Sequence, residues 1–197
     1  MAVTAEQIKA LRELTGAGVL DCKKALEAVD GDMERAQQML LAKGLAAAAK
    51  KAEREAKQGI IEAYVHMGKA AALVELNCET DFVARTPEFK ELAHDLAMQV
   101  VAAQPRYVRV QDVPAEVLEE EKRKYRAQMA DQNKPEHLLE KIVENKLQKF
   151  YQETCILNQP FIKDEERTIE DVIKGKIATI GENIVLRRFV RFALAED

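Results

Sequence analysis

The sequence predicts an α+β protein: a small three-helix module, a helical linker, and a core in which a small antiparallel sheet is packed by helices and a helical hairpin. Three observations carry this reading. Apolar residues recur at helical spacing over residues 1–44, interrupted twice by glycine-containing breaks. After Gly59 the period changes to strict alternation. From Pro87 it is helical again, and it alternates once more only after Gly181. The expected divisions are therefore 1–44, a linker over 45–58, and a core over 59–197.

Thr4-Ala5-Glu6-Gln7 is a capping box, followed by Ile8, Leu11 and Leu14 on one helical face. Thr15-Gly16-Ala17-Gly18 breaks that helix. A second helix from Val19 to Val29 turns Val19, Cys22, Ala25, Leu26 and Val29 to one side. Asp30-Gly31-Asp32 is the next break, and Asp32 caps a third helix carrying Ala36, Met39 and Leu40, which Gly44 is expected to end. In layout the module is similar to ubiquitin-associated (UBA-like) domains. The stretch from Leu45 to Lys57 is rich in Ala, Lys and Glu, which favour helix but offer little surface to bury, so it reads as a helical linker. Glu53 and Glu55 interrupt its positive charge, marking a solvated face rather than a nucleic-acid contact.

In the core, Ile61, Ala63, Val65 and Met67 share one strand face and Ile60, Glu62, Tyr64 and His66 the other. Gly68-Lys69 is the expected turn into a return strand from Ala71 to Cys78. A helix from Pro87 to Ala103 carries Phe89, Leu92, Ala93, Leu96, Ala97 and Val100 as a core stripe. Helices from Pro114 to Asp131 and from Pro135 to Cys155, separated by Gln132-Asn133-Lys134, form the hairpin. Gln159-Pro160-Phe161 reads as a loop, Thr168 caps a helix closed by Gly181, and a last strand runs from Ile184 to Leu194. That strand sets Ile184, Leu186, Val190 and Phe192 on one face and Val185 and Phe189 on the other. Apolar residues on both faces call for a second cover, and the expected cover is an identical subunit, since the remaining helices are few and polar.

Composition narrows the function. A net charge of −4 argues against a dedicated nucleic-acid binder, and the aromatics that interleave with Arg187, Arg188 and Arg191 are Phe189 and Phe192, on a strand already needed for packing. No apolar run approaches membrane-spanning length and no signal-peptide pattern opens the chain, so a cytoplasmic protein is expected. Cys22, Cys78 and Cys155, like the three histidines, are scattered without metal-ligand spacing, and the thiols read as buried and reduced. Thr15-Gly16-Ala17-Gly18 is too short for a phosphate cradle and follows no strand. No catalytic residue, cofactor or metal is predicted.

What remains is one awkward residue. Between the strand ending at Cys78 and the helix signalled by Thr86-Pro87, Asp81-Phe82-Val83 occupies a short surface connection. Phe82 there either packs back on the Phe89–Leu92 helix or meets a partner.

Four landmarks resemble the bacterial elongation factor Ts family: Leu11-Arg12-Glu13-Leu14-Thr15-Gly16-Ala17-Gly18 with Asp21-Cys22-Lys23-Lys24-Ala25-Leu26, then Asn77-Cys78-Glu79-Thr80-Asp81-Phe82-Val83-Ala84, Gln159-Pro160-Phe161, and Ile180-Gly181-Glu182-Asn183-Ile184 with Arg187-Arg188-Phe189. They run in the family's order from end to end. The resemblance implies a guanine nucleotide exchange factor for elongation factor Tu, a GTPase, with no active site of its own. Carried over by motif, Asp81 and Phe82, flanked by Thr80 and Val83, fall on residues that intrude near the partner's magnesium and phosphate site. Arg12, Val19 and Leu20 fall on the N-terminal docking surface. Many relatives carry methionines at the last two positions, so Val19 and Leu20 keep that contact apolar with stiffer side chains. The chain resembles the compact, Thermus-type form, which implies a homodimer through the core sheet. The competing expectation is a UBA-like adaptor binding another protein through residues 1–44.

Overall fold

The computed structural model describes residues 3–129 and 135–195. The turn expected at Gln132-Asn133-Lys134, and Asp131 before it, lie outside them. Two compact units are present, each assembled from separated stretches. Three strands, β1 (Gln58–His66), β2 (Ala70–Cys78) and β5 (Ile184–Ala193), form one sheet in the order β1-β2-β5. The mixed helix-and-sheet class is as predicted.

The first unit comprises Met1–Ile60, Leu76–Lys90 and Asp171–Val185. Its helix α1 (Ala5–Thr15) begins at the predicted capping box: the Gln7 amide N–H donates to Thr4 Oγ1 (3.2 Å) and the Thr4 N–H to Gln7 Oε1 (3.0 Å). Helix α2 (Val19–Ala28) follows, and α3 (Met33–Lys51) starts where Asp32 accepts the Arg35 N–H at 3.0 Å. Leu11, Cys22, Ala25, Leu26, Ala36 and Leu40 from the three helices make one core, and burying a leucine such as Leu11 or Leu26 contributes about 2 kcal/mol. Three expected core residues are instead exposed: Leu14, Val19 and Met39. Leu14 and Val19 flank the break between α1 and α2.

Gly44 does not end α3. The helix continues to Lys51, and a Cβ on Gly44 would stand 3.0 Å from the Ala178 Cβ on helix α8 (Ile169–Ile180). Glycine in mid-helix costs about 1 kcal/mol against alanine, and here it admits a close helix–helix approach. The helical linker is accordingly shorter than expected, giving way to irregular chain after Ala52. Gly59 is the other glycine with a necessary role: at φ +151°, a Cβ would lie 2.1 Å from the Leu76 carbonyl oxygen of β2.

The second unit comprises Ile61–Glu75, Glu91–Glu170 and Leu186–Asp197. The β1–β2 turn is centred one residue earlier than predicted, on Met67 (φ +51°) and Gly68 (φ +68°), with the Lys69 N–H donating to the His66 carbonyl at 2.9 Å. Two positive φ values make a hairpin turn whose twist suits the strands. Helix α5 (Pro87–Ala103) buries Phe89, Leu92, Ala93, Leu96, Ala97 and Val100, the whole predicted stripe. Helices α6 (Ala115–Ala127) and α7 (Glu136–Thr154) pack through a cluster of Met129, Val143 and Leu147. Pro160 and Phe161, expected in a loop, form a short strand β3 paired antiparallel with β4 (Asp164–Thr168).

That hairpin hangs on two buried glutamines. The Gln99 side-chain amide donates to Gln159 Oε1 (3.2 Å) and the Pro160 carbonyl (3.0 Å), and its oxygen accepts the Ile162 N–H (2.9 Å). Gln159 donates to the carbonyls of Ala103 (3.1 Å) and Glu153 (2.9 Å).

On the sheet, Ile61, Val65, Leu73, Val190 and Phe192 are exposed, Phe192 at 67%. The expected single face of β5 is not uniform: Ile184 and Leu186 are buried, and alternation breaks at Arg187–Arg188, which are both exposed. Both arginines pair with the single carboxylate of Glu75, at 3.7 and 2.6 Å, and Arg191 Nε donates to the Val101 carbonyl at 3.3 Å.

Candidate partner-docking site

Strand β2 delivers the chain to Cys78, and the residues from Glu79 to Thr86 then turn tightly into α5. Thr80, in extended conformation, caps a single helical turn, α4 (Asp81–Ala84), by accepting the Val83 N–H at 3.4 Å. The sequence reading had placed these residues in a connection without helix; one turn so short has no propensity signal to detect. Ala84 turns inward and is buried, Val83 is half-buried, and Arg85 clasps Asp81 at 2.6 Å. Thr86 joins α4 to α5, its hydroxyl donating to the Val83 carbonyl (2.8 Å) and accepting the Phe89 N–H (3.3 Å). Phe82 is left pointing away from the unit with 79% of its surface exposed. That exposure removes the alternative in which it packs back on α5.

The turn before α4 is held from a distant part of the sequence. Glu182 Oε2 accepts the N–H groups of Glu79 (3.1 Å) and Thr80 (3.0 Å), while Oε1 accepts the Thr80 hydroxyl (2.6 Å). Buried Asn183 donates its N–H to Glu79 Oε1 (2.7 Å) and its amide to the carbonyls of Ala52 (3.3 Å) and Arg54 (2.7 Å). Cys78 Sγ lies 3.1 Å from the Thr80 carbonyl as its donor. Burial first, and the Glu182 carboxylate second, push this thiol up to about 11, so it stays protonated and able to donate. In the sequence, Glu182 and Asn183 stand in a family landmark with no sign of what they bind. Nothing local could have supplied one, because their partners lie about a hundred residues earlier.

Thr80, Asp81, Phe82 and Val83 are thus gathered on one turn. Arg12 on α1 and Val19 and Leu20 on α2 are each exposed, Leu20 at 72%, as is Leu14 on α1. Cys22, Cys78 and Cys155 are buried free thiols, as predicted. Among the described residues no group of three or more His, Cys, Asp or Glu could hold a metal, and no helix is long and apolar enough to cross a membrane. The arrangement offers exposed surface for binding.

Comparison with known proteins explains the landmarks. The family model described as Elongation factor TS matches residues 45–176. The chain belongs to the elongation factor Ts family. The Elongation factor Ts of Thermodesulfovibrio yellowstonii is 55% identical over 196 residues, covering 100% of this chain and 98% of that protein. Its counterpart in Coprothermobacter proteolyticus is 54% identical over 197 residues, and that in Thermotoga neapolitana 57% over 198, each covering both chains completely. Similarity to the Ts factors along the whole length does not favour an adaptor acting through residues 1–44 alone.

Proposed function

We propose that this chain is a guanine nucleotide exchange factor that binds elongation factor Tu and promotes GDP release during translation elongation, without chemistry of its own. The observation that carries the reading is Phe82: an aromatic side chain 79% exposed, on a turn too short to stand alone, held there by bonds to remote residues. Exposure alone is common for single apolar residues; what supports a partner here is an aromatic ring set on a connection whose turn is pinned by remote residues. As an apolar wedge it can separate packed elements of the GTPase that exist in discrete arrangements, disturbing magnesium coordination without touching the nucleotide. By linkage, weaker GDP binding in the presence of the factor means weaker factor binding in the presence of GDP.

In this reading Thr80, Asp81, Phe82 and Val83 form the working tip. Residues 1–44 are a UBA-like docking module using Arg12, Val19 and Leu20, residues 45–58 connect it, and residues 59–197 are the core. The protein acts in the cytoplasm by binding alone, with no cofactor and no direct contact with nucleic acid or membrane. A second copy covers the sheet, as the exposed Ile61, Val65, Leu73, Val190 and Phe192 suggest. Light scattering at micromolar concentration should return a dimer mass; a monomer mass rules this cover out.

Exchange is tested with elongation factor Tu loaded with a fluorescent GDP analogue. Substoichiometric amounts of the chain should accelerate release many-fold, and no acceleration would end the proposal. Phe82→Ala should lower the exchange rate by about 30-fold or more, the roughly 2 kcal/mol expected of an aromatic anchor. Its stability should stay within about 0.5 kcal/mol of the parent, because the ring is already in water.

A further inference from the structure

We infer that Glu182 is a positioning residue for exchange: its carboxylate clamps the Glu79–Thr80 turn and so holds Phe82 in its outward, partner-ready position. The inference rests on the exchange reading and adds to it a residue far from the tip in sequence. A four-residue helix cannot pay its own nucleation cost, so α4 exists only if its ends are fixed from outside. Thr80 is the fixed end, and its hydroxyl has one proton to place. The hydroxyl donates it in a hydrogen bond to Glu182 Oε1 at 2.6 Å, which leaves a lone pair of Thr80 Oγ1 turned toward the Val83 N–H. The cap on α4 is therefore set by the carboxylate behind it.

The other carboxylate oxygen removes the remaining freedom of the turn by accepting two successive backbone N–H groups, those of Glu79 and Thr80. Hydrogen bonds to an ionised acceptor are the stronger kind, and three converge here on one side chain. Glu182 itself has little latitude. Gly181 precedes it at φ +91° where α8 has just ended, and buried Asn183 follows it, bonded to the Ala52 and Arg54 carbonyls beyond the end of α3. The clamp is thus anchored to two helix ends of the same unit. Phe82 sits two residues beyond the clamped Thr80, so release of the turn lets the ring sample other directions, and each misdirected encounter is lost to exchange.

Four variants test this: Glu182→Ala, Glu182→Gln and Phe82→Ala singly, and Glu182→Ala combined with Phe82→Ala. Amide hydrogen exchange in the free protein should rise at least tenfold over residues 80–84 in Glu182→Ala and much less in Glu182→Gln, which keeps one acceptor oxygen. Amides of α5 from Glu91 onward should be unchanged. In the GDP-release assay Glu182→Ala should lose about tenfold in maximal rate, with Glu182→Gln restoring part of it. In the Phe82→Ala background the same change should cost less than twofold, because the ring it positions is gone. A full tenfold further loss there, or wild-type rates in Glu182→Ala, would overturn the inference. If the parent chain itself fails to accelerate release, the exchange reading is what falls, and unchanged hydrogen exchange at residues 80–84 still decides against the clamp.

Discussion

The two polar networks of this chain use similar chemistry in opposite surroundings. Gln99 and Gln159 sit at 0% and 2% exposure and tie the β3–β4 hairpin to carbonyls of α5 and α7. Glu182 is only half-buried, and it ties the Glu79–Thr80 turn that presents Phe82. The glutamine pair is neutral and out of water, and its bonds run to backbone groups around it. The glutamate is charged, and its bonds end at a surface. The difference teaches what each is for: a buried neutral network makes folding unique, whereas a carboxylate at the rim orders a local turn without committing the core to it.

The largest effect expected from breaking the comparison is in the buried network. Gln159→Leu deprives the Ala103 and Glu153 carbonyls of their donor and the Gln99 amide of one of its two acceptors, the Pro160 carbonyl remaining. Stranded buried groups cost about 1–3 kcal/mol each, so stability should fall by about 3 kcal/mol or more, read from the denaturant midpoint at unchanged slope. Exchange by the fraction that remains folded should be near normal. A loss of exchange without loss of stability would erase the distinction between the networks.

Thr80→Val sharpens the other side. It keeps the shape of Thr80 but removes the hydroxyl that caps α4 and donates to Glu182. Loss of an N-cap costs about 1 kcal/mol, and here the loss should be confined to residues 80–84. Hydrogen exchange should report it there and leave the denaturant midpoint shifted only slightly. A midpoint shift as large as that of Gln159→Leu would mean that the tip and the core melt together.

How much of this was legible beforehand follows the range of the interactions. The Thr4–Gln7 capping box, the Asp32 and Thr86 caps and the α5 stripe are all local, and each was readable from spacing. Gly44 looked like a helix stop because its real neighbour, Ala178, is remote in sequence. Pro160 looked like loop because proline does not seed a strand, yet at an edge its missing N–H is harmless. Leu14 and Val19 fit the apolar period and yet lie in water, since periodicity marks a face without saying where the neighbour ends. At the site, Phe82 was conspicuous as a misplaced aromatic, and the resemblance supplied its use. Glu182 stayed silent because a carboxylate on a helical, charge-rich chain has no signature of what it accepts.

The smallest expected effect concerns Cys78, which ties the carbonyl side of the same turn. Its thiol is neutral when protonated, and burial raises its pKa from 9.0 to about 11. The unfolded chain therefore gives up this proton near pH 9, while the folded chain keeps it until about pH 11. Between those values the unfolded state binds fewer protons, so stability must fall as pH rises, and below about pH 8 the thiol has no effect. Tyrosines and lysines titrate in the same range, so the readout is the difference between the parent and Cys78→Ala: the parent should lose more stability from pH 9 to 11. Equal losses would show that the turn does not depend on the thiol. Alkylation of the native protein gives the companion measure, with Cys78 reacting much more slowly than an unperturbed thiol, since it is fully buried and its raised pKa makes the reactive thiolate scarcer. Were Cys78 to react like an unperturbed thiol, the turn beneath Phe82 would have to open readily in the free protein, and the contrast with the buried glutamine network would widen from one of burial to one of motion.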